Sequence, residues 1–122
     1  GYIVFVDDNL DGVADASDGD LSVQGQETIL RMHGPAAEGV SFAVADGATY
    51  FMFAATGLGR LDGGGNPAVS QIVICDQRGN AVAAGGGSAA RLFVATPLGR
   101  ATILRDRDMI ATALDDMGAT CP

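Results

Sequence analysis

Residues 90–105, ARLFVATPLGRATILR, are two apolar runs split by Pro97-Leu98-Gly99. Residues 90–96 and 100–105 are each too short for a stable helix, and they are rich in the branched and aromatic side chains that suit a pleated surface. The two runs read as two strands broken by Pro97-Leu98-Gly99. The same pattern recurs upstream. Residues 2–6 read as a strand. In 27–33, ETILRMH, Thr28, Leu30 and Met32 alternate with Glu27, Ile29, Arg31 and His33. Residues 40–44, VSFAV, and 70–75, SQIVIC, are two further strands. Asp46-Gly47 is a hairpin signal leading into 48–54. The apolar run Tyr50-Phe51-Met52-Phe53 predicts a central strand covered on both faces. Residues 57–68 and 76–89 read as glycine-rich loops. The tail is ambiguous: 108–117 makes either a short helix, with Gly118 as its C-cap, or an edge strand.

These elements predict one mainly β domain over 1–122, built of small antiparallel sheets packed together. Composition agrees. The 122 residues are 48% hydrophobic but only 6% aromatic, and 18 of them are glycine. The net charge is −8, and every one of the seven cationic side chains is Arg. So acidic a surface repels phosphate backbones and anionic lipid, and suits cations or basic partners. No apolar run approaches the roughly 18 residues of a membrane helix. The chain opens without Met, inside a strand, and reads as a processed fragment, so missing targeting signals carry no weight.

Residues 7–18 follow the first strand with oxygen donors at calcium-loop spacing. Asp7, Asn9 and Asp11 stand at positions 1, 3 and 5, Gly12 at 6, Asp15 at 9 and Asp18 at 12, and Val13 offers its carbonyl at 7. Asp18 replaces the usual Glu and is one methylene shorter. A Ca²⁺ site and a solvated turn in which Asp and Asn bond their own backbone are the two readings.

Cys75 and Cys121 are the only cysteines, and His33 is the only histidine, too few ligands for a tetrahedral zinc site. A disulfide is the better reading, with two buried thiols as the alternative. It would close about 46 residues, add roughly 4 kcal/mol in the chain-entropy treatment, and imply an oxidising compartment.

The order of these pieces resembles a known group. A strand runs into Asp7-x-Asn9-x-Asp11-Gly12, a strand ends in Phe53…Gly57, and Ile72 to Asp76 precedes Arg78-Gly79. Gly99-Arg100 and a final cysteine follow. The set resembles the globular domain of GspH/FimT/FimU-type minor pilins and type II secretion pseudopilins. Tyr2 stands where that group carries Trp. The resemblance covers essentially the whole chain. It implies a periplasm-facing β domain carried on a long apolar N-terminal helix that these residues do not include. It also implies anchoring in the inner membrane and a final place at the tip of a pilus or pseudopilus. Partners would be other minor and major pilins or pseudopilins.

Some FimT-type members resemble DNA receptors for natural transformation, which draws attention to Arg100, Arg105 and Arg107. Here Asp106, Asp108, Asp115 and Asp116 interleave or follow, and stacking aromatics are missing nearby. A salt-bridged edge is the plainer reading, and nucleic acid is not the expected partner. A stand-alone extracellular calcium-binding β module is a further alternative. The glycine triplets 63–65 and 85–87 lack the Lys-Ser/Thr of a phosphate loop and read as hairpin tips. His33 has no nucleophile signature around it, and the acidic loop offers no apolar wall to raise a carboxyl pKa. Catalysis is not expected.

Overall fold

The computed structural model of the chain describes residues 1–8, 28–61, 64–65 and 68–121. The protein is mainly β, in antiparallel sheets, with one α-helix among the described residues. Strand β1 (Tyr2–Phe5) pairs with β2 (Ile29–His33) as a two-stranded ribbon. A four-stranded sheet has the order β3 (Ser41–Val44), β6 (Gln71–Cys75), β7 (Arg91–Ala95), β8 (Ala101–Leu104). Between β3 and β6 in sequence, β4 (Met52–Phe53) and β5 (Gly59–Arg60) form a short ribbon of their own.

The β7–β8 hairpin is built as its sequence predicts. Thr96 N–H donates to the Arg100 carbonyl and Gly99 N–H to the Thr96 carbonyl, each at 2.9 Å. The register then places Leu92 opposite Leu104 and Phe93 opposite Ile103. Residues directly opposite share a face, so the inner face of the sheet carries Ala43, Val73, Leu92, Val94 and Leu104.

The tail resolves as helix α1 (Arg107–Asp116). Asp106 caps it, accepting from the N–H groups of Asp108 at 3.0 Å and Met109 at 2.9 Å. Ile110, Ala113 and Leu114, spaced i, i+3, i+4, are its buried residues, and they pack with Val73, Cys75 and Leu92 of the inner face. Burying a side chain such as Ile110 or Leu92 contributes about 1.5–3 kcal/mol. Gly118, at φ +59°, ends the helix. Its N–H bonds the Asp115 carbonyl and the Ala119 N–H bonds that of Leu114, a Schellman pattern that turns the chain back toward the sheet.

Two expectations need correction. Residues 50–53 do not form a central, doubly covered strand. Only Met52–Phe53 are extended, they pair with Gly59–Arg60, and Phe53 is 56% exposed. An apolar run on both faces marks what can be buried, whereas here β4 has β5 as its single pairing partner. Asp46-Gly47 do take positive φ, +56° and +63°, with Ala48 N–H bonded to the Ala45 carbonyl. The turn forms, but no hairpin follows, because β3 pairs with β6. No helix among the described residues is long and apolar enough to cross a membrane.

Candidate functional site

The outer face of the four-stranded sheet is as apolar as the inner one. Phe42 lies opposite Ile74, Val44 opposite Ile72, Ile72 opposite Phe93, and Phe93 opposite Ile103. Large apolar side chains thus run across all four strands. Phe42 is 52% exposed and Ile103 65%, while Val44, Ile72, Ile74 and Phe93 are half-buried. The one cation in this row is Arg91, opposite Ile74. One of its terminal nitrogens donates to the carbonyls of Ser88, Ala89 and Ala90, each at 2.9 Å.

Cys75 and Cys121 are joined in a disulfide, Cα to Cα 5.6 Å, as expected from their count. Cys75 is buried on β6, so the bond holds the chain end against the sheet. The loop after Cys75 is fixed by Asp76. Its carboxylate accepts from the Arg78 backbone N–H at 2.9 Å and from the guanidinium at 2.5–3.1 Å. The guanidinium, helped by that N–H, holds the Asp76 carboxyl down to about 2. Arg78 is raised in turn by the same pairing. Two residues on, Asn80 donates to the Arg107 carbonyl at 3.0 Å and accepts from the buried Ser88 hydroxyl at 2.6 Å. Arg107 Nε donates back to the Asn80 carbonyl at 3.0 Å. This network ties the 76–90 loop to the start of α1. It joins residues 27 apart, and nothing in the sequence marked it.

A shallow depression of about 420 Å³ lies between that loop and the C-terminal turn, lined by Arg78, Asn80, Leu114, Asp115, Thr120 and Cys121 among others.

Gly99 meets a second hairpin. A Cβ on it would run into the Gly57 carbonyl oxygen, and its φ is +77°. Beside it, Gly59 N–H donates to the Pro97 carbonyl at 2.8 Å. The tip of the β4–β5 ribbon therefore sits on the tip of the β7–β8 hairpin. The glycines of 85–87 do form a hairpin tip: Gly85 and Gly86 have φ near +90° and +84°, and Val82 bridges Ser88.

The three candidate DNA-contacting arginines are not one cluster. Arg100 precedes β8, and Arg105 and Arg107 follow it, roughly 16 Å away along an extended strand. Arg107 is engaged with Asn80, and Asp106 caps the helix instead of meeting a guanidinium. The expected salt-bridged edge is therefore absent among the described residues, where the ion pair is Asp76 with Arg78. His33 stacks on Tyr2 at 5.3 Å and donates to the Gly34 carbonyl at 2.9 Å. Of the calcium-loop ligands, Asp7 is half-buried at the end of β1; Asn9, Asp11, Val13, Asp15 and Asp18 lie outside the described residues. Among the described residues, no three His, Cys, Asp or Glu side chains gather as a metal site.

No protein-family model, no curated protein and no solved structure matches this chain.

Proposed function

We propose that this chain is the globular domain of an assembly subunit: a minor pilin of the GspH/FimT/FimU type, from a type IV pilus or the related type II secretion pseudopilus. Its work is interaction, without catalysis. The observation that carries this reading is the outer sheet face. A sheet apolar on both faces calls for a covering layer on each. Helix α1 covers the inner face, while Phe42 and Ile103 remain more than half exposed on the outer one. The resemblance supplies the occupant: a long apolar N-terminal helix, laid across the row from Phe42 to Ile103. The ordered motifs from Asp7 to Cys121 support the same reading. On it, the subunit is anchored in the inner membrane, its domain faces the periplasm, and other pilins or pseudopilins are its partners.

The coding sequence upstream of Gly1 tests the assignment. It should encode a prepilin leader followed by about 20 apolar residues. An ordinary cleaved signal peptide in that place overturns the proposal. In the full-length protein, Phe42→Asp and Ile103→Asp should reduce incorporation into the assembled pilus or pseudopilus.

The spacing Asp7, Asn9, Asp11, Asp15, Asp18 supports Ca²⁺ as a stabiliser of the acidic loop. Calorimetric titration should give a one-to-one heat, and millimolar calcium should raise the melting temperature. A flat titration with an unmoved melting point removes the site.

A further inference from the structure

We propose that the paired hairpin tips are a membrane-docking edge, which sets apolar side chains into the surface of a bilayer while two arginines hold anionic lipid phosphates. Both tips carry the same tripeptide, Leu58-Gly59-Arg60 and Leu98-Gly99-Arg100. Gly59 N–H donates to the Pro97 carbonyl, and Gly99 lies against the Gly57 carbonyl. Those two contacts run the segments antiparallel. Leu58 therefore stands across from Leu98, and the arginines fall on opposite sides of the leucine pair. Leu98 is 78% exposed, in the turn closed by the bond from Gly99 to Thr96, and Leu58 is exposed beside it. Phe53, opposite Gly59 in the ribbon, and Leu61, next to Arg60, are each more than half exposed.

Arg60 and Arg100 are exposed, and neither guanidinium meets a carboxylate among the described residues. Four exposed apolar side chains gathered on two docked turns form a patch, unlike hydrophobes scattered singly over a surface. Turns project and offer no pocket to a small ligand. A bilayer surface suits that shape, because apolar groups enter the acyl boundary while cations stay at headgroup level. Arginine suits the phosphate there, since its planar fork binds two oxygens at once.

The net charge of −8 opposes approach to anionic lipid, but the acids that flank the sheet stand back from the tips. Residues 52–61 and 95–101 include both arginines and no acid. Asp76 and Asp106 follow the ends of β6 and β8 that lie away from the tips, roughly 17 Å off along the five residues of β7. Asp46 follows β3 at the tip end, two strands or about 10 Å from β7. At 0.15 M ionic strength the screening length is about 8 Å, so arginines in contact with phosphate outweigh these more distant acids.

The chain has no Trp, so Leu98→Trp places a single fluorescent reporter at the tips. Its emission should shift to the blue when phosphatidylglycerol vesicles are added. A reporter from Met109→Trp, on the exposed side of α1 and away from the tips, should not shift. Flotation of the domain with the same vesicles gives its partition. Leu58→Asp with Leu98→Asp should abolish binding, and because both side chains are exposed their loss spares the core. Arg60→Gln and Arg100→Gln should each lower the partition about fivefold. Phosphatidylcholine vesicles should bind the wild type no better than phosphatidylglycerol vesicles bind the double arginine variant. An unmoved Leu98→Trp emission, equal shifts at both reporters, or binding indifferent to both arginines overturns the proposal. A blue shift that grows with protein concentration in the absence of lipid assigns the tips to a second copy and overturns it as well.

Discussion

Asp76 and Gly99 show how much one residue can decide. Asp76 titrates near 2 in the folded protein against an ordinary 3.8, chiefly because Arg78 donates to its ionised form. A depressed carboxyl stabilises the fold where it is ionised in both states. That contribution is complete above about pH 4 and is lost as pH falls through 2. Arg78→Ala removes the guanidinium but keeps the backbone N–H, so it should raise the Asp76 carboxyl part of the way toward the ordinary range in a carbon-detected NMR titration. The stability gap between wild type and variant, read by urea unfolding, should narrow from pH 5 to pH 2. The ion pair is exposed, with 62% of the Arg78 side chain in solvent, so that gap should be small. Gly99 is a stronger constraint. Gly99→Ala meets both a positive φ and the Gly57 carbonyl, and should cost about 1–3 kcal/mol in thermal or urea unfolding. The Gly99-Arg100 pair was legible in the sequence as a tight turn. The reason it must be glycine was not, because the obstructing oxygen belongs to a loop more than 40 residues away in the chain.

Among the elements, α1 was half legible. Gly118 as a C-cap offers a helix over 108–117, and an edge strand stands beside it as the other reading. The Asp106 cap and the inner sheet face together settle the choice. Asp106→Ala should destabilise the protein by about 1 kcal/mol, seen as a lower urea midpoint with an unchanged slope. The β7–β8 hairpin was the most legible element, since both runs and the turn between them are local. The ribbon Met52–Phe53 with Gly59–Arg60 was misread, because hydrophobicity marks what can be buried and not whether a neighbouring strand arrives to bury it.

At the scale of the whole molecule, the disulfide and the two apolar sheet faces set the behaviour. Cys75–Cys121 closes 46 residues that include β7, β8 and α1. A Cys75→Ala/Cys121→Ala variant should lose roughly 4 kcal/mol against the oxidised protein in urea unfolding. The sequence by itself determined the antiparallel β class, the acid balance and the cysteine pair. Each rests on local alternation, on composition, or on there being one possible intramolecular pairing. Only the tertiary structure decided that β3 pairs with β6, that α1 takes the inner face, and that the outer face is left half exposed. It also brought the tips at Gly57 and Gly99 together. Those outcomes depend on which distant segments meet, and alternation along a strand states only that it has an apolar side, not what lies against it.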